Sequence, residues 1–302
     1  MSPIPSSWSA GEVYSALTAV AWAVAVILFR RSGERIPPFG LNTFKGVVGM
    51  ALFLPTFVVL GHPAVPAGVS LRDGLVLAAT GVVGIGIADT LFFASLNRLG
   101  AGRSAIVDCL YSPAVVACSA LVLGEPTGPF LLVAMACMAV AVLVGTWEPA
   151  SADAPEPRDL RVGLALGALS MGLMAVGIVG AKPVIDRAPA LWSATVRLAG
   201  GLGFLGLQAA LHPRSRAEAR AAFTPGPHWR VALPAAFIGT YVALLLWIAG
   251  MKYTYTNVAS VLNQSSNVLV VLLAAVFLRE PLTVRKVVAV LLGASAAVIV
   301  AW

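Results

Sequence analysis

The chain has 302 residues, 59% of them hydrophobic and 11% charged, with a mean hydropathy of +0.91 and a formal charge of +7. Soluble domains carry roughly 25% charged residues, and no water-soluble fold of this length could cover so much apolar surface, so the composition specifies an integral membrane protein. The basic excess does not point to nucleic acid: it lies in short connections between apolar runs, without interleaved aromatics, where it sets orientation against an anionic membrane face.

Ten apolar runs of helix length follow one another, at about 12–31, 39–60, 74–97, 101–124, 127–147, 160–181, 190–211, 229–250, 255–278 and 282–302. None alternates every second residue as a barrel strand would. The amino-terminal MSPIPSSWSAGE lacks a basic leader segment, so the first run is expected to be the membrane signal itself. Helix stops such as Ile36-Pro37-Pro38 and Gly124-Glu125-Pro126 separate the runs. The least apolar gap, at 148–159, is rich in Pro and Asp and reads as a linker between halves at 12–147 and 160–302. The second polar gap, His212 to Arg230, is basic and too short for a domain.

The halves are related. Ala101 to Pro126 falls on Thr256 to Pro281 at an offset of 155 (280 − 125 = 155), with Asp108 on Asn263 and Glu125-Pro126 on Glu280-Pro281. The match runs ungapped from Gly84/Gly239 to Trp147/Trp302, and Thr43-Phe44-Lys45 answers Thr195-Val196-Arg197 at 152. Five runs per half is an odd number, so the second half enters the membrane from the opposite side. The expected fold is an all-α integral membrane protein of ten transmembrane helices in two five-helix inverted repeats. Small residues at close-packing spacing, Gly81/Gly84, Gly163/Gly167 and Gly200/Gly201/Gly203/Gly206, suit tight helix crossings.

Polar residues deep in apolar runs are the candidates for function. Asp108 is a carboxylate at mid-run, where insertion costs about 2.5–3.5 kcal/mol. Ser104, Tyr111 and Ser112 share its helical face, and Pro113 frees a backbone acceptor nearby. A substrate or proton site needs such a polar kink; a structural carboxylate, paired with Arg103 or capped by hydroxyls, is the alternative. In the ninth run Ser260, Asn263 and Asn267 line one face with Gln264 beside it, suited to a polar metabolite or to interhelical hydrogen bonding. Asp89 and Thr90 in the third run precede Phe92 and Phe93, and Tyr241 and Trp247 occupy the matching stretch of the eighth. These aromatics either stack on a substrate or serve as bulk.

Lys45 and Arg197, inside the second and seventh runs, are expected to snorkel to the headgroups. Glu125 and Glu280 suit capping, and Trp147 and Trp302 suit interfacial anchoring. Cys109, Cys118 and Cys137 read as small hydrophobes. No histidine lies within a run, and no H-E-x-x-H, G-x-S-x-G or G-x-x-x-x-G-K-[ST] motif occurs, so no metal, cofactor or ATP site is expected.

The paired stretches GIGIADTLFFASLNRLGA…LVLGEP and GTYVALLLWIAGMKYTYT…VFLREP resemble the two copies of the EamA domain of the drug/metabolite transporter superfamily. The resemblance covers nearly the whole chain and identifies a superfamily, not a substrate. It implies a ten-helix carrier of amino acids, other small metabolites or drugs, with a central cavity lined mainly by the first, third, fourth, sixth, eighth and ninth helices. The resulting expectation is a multi-pass plasma-membrane secondary transporter working by alternating access on a small-molecule substrate. Asp108, Tyr111, Asn263, Gln264, Asn267, Tyr241 and Trp247 are its substrate contacts, and Asp108 and Asp89 its proton-coupling groups. An intramembrane enzyme or a channel is the alternative. Oligomeric state is not encoded legibly. Of the 20 basic residues, Arg72, Lys182, Arg187 and Lys252 fall on one side, Lys45 and Arg197 within runs, and the remaining 14 on the other side (20 − 4 − 2 = 14). The positive-inside rule makes that richer side cytoplasmic and both termini external, whereas ten-helix members of the superfamily usually resemble the opposite case.

Overall fold

A computed structural model describes residues 9–61, 63–124 and 156–301, with Val133, Cys137, Val140, Ala141 and Val144 of the fifth run; of residues 257, 261, 293 and 296–301 it gives the backbone alone. The described residues are helical without strands, and eight of the helices are long and apolar enough to cross a membrane. They are Ala10–Gly33, Pro38–Val59, Leu71–Leu99, Ala101–Leu123, Pro157–Arg187, Ala190–Leu211, Trp229–Tyr253 and Val258–Phe277. We keep the ordinal of the apolar run each contains, so these are the first to fourth and sixth to ninth spans. The tenth run forms the helix Val284–Ala301. The rest of the fifth run, the linker up to Pro155, Glu125, Trp147 and Trp302 lie outside the described residues.

Local chemistry explains the helix starts. Ser9 and Glu12 form a reciprocal capping box at the first span, and Ser70 and Asp73 another at the third. Proline leads the second and sixth spans, where its missing N–H costs nothing. The fourth span is capped from a distance: Glu280 accepts from the backbone N–H of Ala101 at 2.8 Å and of Gly102 at 2.9 Å. The preceding Gly100 has φ 81°, and a Cβ there would stand 2.9 Å from that carboxylate, so both backbone and space require glycine. The basic gap after the seventh span is more ordered than its composition suggests: Pro213–Phe223 is a helix, and Phe44 packs on Phe223 and Trp229 beside it.

The halves interlock. The first span packs against the eighth and ninth, and the sixth, its counterpart by order, packs against the third and fourth. The seventh span lies against the second and third. Glycines decide how closely: a Cβ on Gly81 would meet Arg197 O at 1.9 Å, and one on Gly200 would meet Ala78 O at 2.2 Å, so these backbones touch. Gly203 and Gly206 face open space instead. Large apolar side chains such as Val58, Val59, Leu121, Leu211 and Val276 are exposed, a surface suited to lipid rather than water.

Two irregularities recur at the internal offset. The third span is α-helical over Leu71–Gly81, π-helical over Val82–Ala88 and α-helical again from Asp89, and the eighth has a π segment at Phe237–Val242 (237 − 82 = 155). The fourth span is interrupted between Asp108 and Tyr111, and the ninth between Asn263 and Ser265 (263 − 108 = 155). A π turn loosens the backbone ladder, and the freed carbonyls need donors. Asn42, fully buried in the second span, supplies them: its Nδ2 donates to Ile85 O at 2.8 Å, Gly86 O at 3.2 Å and Thr90 Oγ1 at 2.8 Å.

Candidate functional site

The interrupted fourth and ninth spans cross near their breaks. Ser112 Oγ and Ser260 Oγ lie 3.3 Å apart, and Gln264 Nε2 donates to the backbone carbonyl of Asp108 at 3.3 Å. Asn267 donates to Gln264 Oε1 and, at 3.4 Å, to Cys109 Sγ. The break beside Pro113 therefore leaves a carbonyl that the partner span satisfies, as a broken intramembrane helix requires.

Beside this crossing lies a cavity of about 130 Å³, enough for several water molecules or a small solute. Its lining repeats the internal symmetry. Gly84, Ile85, Asp89, Phe92, Asp108 and Tyr111 line it from the first half. Their counterparts Gly239, Thr240, Leu244, Trp247, Asn263 and Ser266 line it from the second. Thr18 and Trp22 of the first span and Met171 and Met174 of the sixth contribute apolar wall. Of the residues singled out from sequence, Asp89, Asp108, Tyr111, Trp247, Asn263, Gln264 and Asn267 all meet here. Tyr241 does not: its hydroxyl is 2.6 Å from Thr56 Oγ1, and its ring packs edge-on to Phe53, 5.0 Å between centroids, between the second and eighth spans.

The second and seventh spans also reach the cavity, and the expectation that Lys45 and Arg197 snorkel to the headgroups is wrong. Lys45 is 4% exposed and Arg197 1%, and both line the cavity. Each sits seven residues inside its helix (45 − 38 and 197 − 190), roughly 10 Å along the axis, too far for an inward-facing side chain to reach the interface. That depth, with the facing Asp89, is the legible signal. Lys45 Nζ pairs with Asp89 Oδ2 at 2.6 Å and lies 5.6 Å from the Phe93 ring centroid. Arg197 Nη1 donates to Gly177 O at 2.9 Å, with Thr80 Oγ1 at 3.4 Å, and the guanidinium lies over the Trp247 indole at 5.6 Å. No carboxylate among the described residues forms a salt bridge with Arg197 or Lys45 other than Asp89, and the Asp108 carboxylate has no ion-pair partner among them. Arg197 Nε, Thr240 Oγ1 and Asn263 Oδ1 are buried without a hydrogen-bond partner among the described residues.

The site therefore holds one neutralised ion pair, one further cation, one further carboxylate, a carboxamide cluster and aromatic walls. Such a set is chemically suited to holding a small polar solute. Among the described residues, no group of three or more His, Cys, Asp or Glu side chains could hold a metal ion.

The family model described as "EamA-like transporter family" matches residues 9–147 and 161–302, one copy per half. The chain belongs to the EamA-like transporter family. As such it is a multi-pass membrane protein built from two EamA repeats, and members of its family are transporters within the drug/metabolite transporter superfamily. A solved crystal structure superposes with a TM-score of 0.69 over 96% of this chain and 95% of its own, at 18% identity, a likeness of fold alone. No curated protein matches the chain by sequence.

Proposed function

We propose that this EamA-family protein is a secondary transporter of a small solute, with ten spans in two inverted five-span repeats, 12–147 and 160–302, rocking about the central cavity. The observation that carries this reading is the placement of Asp108 and of the Asn263, Gln264 and Asn267 carboxamides on one cavity, at the crossing of two interrupted spans. Broken spans place polar groups and free backbone at mid-depth without exposing them to lipid, and matched breaks in both halves let either half swing while the site persists. The solute contacts are Tyr111, Trp247, Asn263, Gln264 and Asn267. Tyr241 belongs to the wall behind them.

Asp108 is the proton-coupling group. It faces the cavity with its carboxylate outside any ion pair among the described residues, so it can exchange a proton with whichever side the cavity opens to. Asp89, held by Lys45 Nζ at 2.6 Å, is a less free proton carrier and serves as the counter-ion of Lys45. The test is flux in proteoliposomes across an imposed pH gradient. Asp108→Asn should insert and fold, keep exchange of solute across the membrane, and lose accumulation driven by the gradient. Gradient-driven accumulation at the unsubstituted rate in Asp108→Asn sinks the coupling role, and absence of any solute flux in the unsubstituted protein across a broad metabolite panel sinks the transport reading.

A further inference from the structure

The charged groups of the cavity are not shared evenly between the repeats. The first half supplies Lys45, Asp89 and Asp108; the second supplies Arg197 alone, with Leu244 standing where the first half has Asp89 and Asn263 where it has Asp108. Once Lys45 and Asp89 are paired, one cation remains on the second half's wall. A buried guanidinium outside any ion pair is costly in a low-dielectric interior, and its environment suits an incoming anion. One edge is fixed by Gly177 O, and the face is covered by Trp247. Nε remains without a partner, and Nη2 has space beside it only because Gly84 lacks a side chain: a Cβ there would stand 3.2 Å away. Nε and a terminal nitrogen on one edge of a guanidinium match the two oxygens of a carboxylate.

From this arrangement we infer that Arg197 is the anchor for a carboxylate, and that the solute is a small monocarboxylate with an apolar body. With Asp108 protonated the cavity carries a single excess cation, which balances a single negative charge. The rest of the cavity wall, with Trp22, Phe92, Met171, Met174 and Leu244, is apolar and suits a hydrocarbon or aromatic remainder. Thr240 Oγ1, buried without a partner in the same wall, is a further donor to the solute. With the anion on Arg197 and a proton on Asp108 the four ionisable groups and the solute sum to zero charge, so each half-cycle moves no net charge through the bilayer. The inference rests on the transport reading only for that last step; carboxylate binding is separable from it.

The test is thermal stabilisation of the purified full chain in detergent, paired with proteoliposome flux. Benzoate and hexanoate are compared with benzamide and hexanamide, their neutral isosteres, and with benzylamine, each up to about 10 mM, the weak end of metabolite affinity. The two carboxylates should stabilise the protein and the amides and amine should not. Arg197→Gln should weaken carboxylate binding about ten- to a hundredfold, the range of a lost charge-assisted contact, with partial recovery in Arg197→Lys. Gly84→Ala covers the case in which Arg197→Gln fails to fold. It leaves the guanidinium in place but crowds Nη2, and should weaken carboxylates severalfold. Stabilisation by amides or amine equal to that by carboxylates overturns the inference, as does absence of carboxylate stabilisation, or stabilisation undiminished in the folded Arg197 and Gly84 variants. Arg197-dependent carboxylate binding without flux would leave the anchor standing and remove the transport reading instead.

Discussion

The Lys45–Asp89 pair offers a sharp test of the packing described above. Its side chains are 5% and 12% exposed, with Nζ and Oδ2 2.6 Å apart. Removing one member of a buried pair strands the other charge, at a cost of about 3–5 kcal/mol, whereas replacing both by apolar groups of similar volume is often neutral. The repeat supplies an apolar residue for one member only: Leu244 occupies the position equivalent to Asp89, while Arg197 answers Lys45. Asp89→Leu alone, which leaves the ammonium buried, should therefore lose about 3–5 kcal/mol, and Lys45→Met alone a similar amount. The double substitution Lys45→Met/Asp89→Leu should recover all but about 1 kcal/mol, giving a coupling of at least about 5 kcal/mol in a double-mutant cycle (1 − 3 − 3 = −5). At about 2–4 °C per kcal/mol, each single variant should unfold at least about 6 °C lower in detergent, and the double variant close to the starting protein. Single variants within about 1 kcal/mol of the unsubstituted protein, or a double variant no better than either single one, would show that water or lipid headgroups solvate these charges and that Lys45 snorkels after all.

Four further outcomes are expected. Glu280→Ala removes a carboxylate accepting two backbone N–H groups at the start of the fourth span, and should cost about 1–3 kcal/mol in thermal unfolding, with Glu280→Gln recovering part of it. Gly200→Ala forces the third and seventh spans apart and should destabilise by about 1–3 kcal/mol or prevent expression, while Gly203→Ala, facing open space, should unfold normally; equal effects would refute the crossing. Asn42→Leu leaves the carbonyl of Ile85 without its side-chain donor, while Gly86 O keeps Thr90 Oγ1 at 2.7 Å, and should cost about 1–3 kcal/mol, where Tyr241→Phe, losing one contact to Thr56 outside the cavity, should leave solute binding unchanged. A fusion after Trp302 should give active alkaline phosphatase and dark green fluorescent protein, since the side with 14 basic residues is expected to be cytoplasmic; the reverse pattern would reject that orientation.

Much of this architecture is legible in the sequence because membrane spans announce themselves by length and apolarity, and a duplication announces itself by a constant offset. The 155-residue offset by itself sets Asp108 opposite Asn263, and both mark the ends of half-helices at the crossing. Composition cannot show the π segments, because Val82–Ala88 and Phe237–Val242 look like ordinary apolar helix; what betrays the first of them is Asn42, a buried amide on a neighbouring span that donates to Ile85 O, Gly86 O and Thr90 Oγ1. Lys45 and Arg197 depart from the average behaviour of basic residues near helix ends. The side a helical residue faces depends on which neighbours pack there, and that is a tertiary fact: Arg197 turns inward because Gly81 and Gly84 leave room for it and Gly177 O accepts from its Nη1. Tyr241 departs from expectation for the same reason, being two positions from Ala243 yet on another face of the helix, toward Phe53 and Thr56.

Duplication gives the two halves one frame, and divergence decides what the frame handles. Six lining positions of the first half have their equivalents in the wall supplied by the second, so the cavity sits where the halves are related, and both have comparable leverage on it. Had the residues stayed alike, the site would present the same charge from both sides and a solute would have no preferred direction. Instead Asp89 answers to Leu244, Asp108 to Asn263 and Phe92 to Trp247. With Lys45 at +1 and the two carboxylates ionised, the first half's wall carries one net negative charge, and the second half's Arg197 one positive. In the proposed transport reading, a dipolar cavity in a symmetric frame would orient its solute while leaving the barrier on either side to similar helices. That division of labour asks the backbone to be equivalent and the side chains to differ. The chain meets both demands at its most irregular points, where matched π segments and matched breaks carry unmatched polar groups.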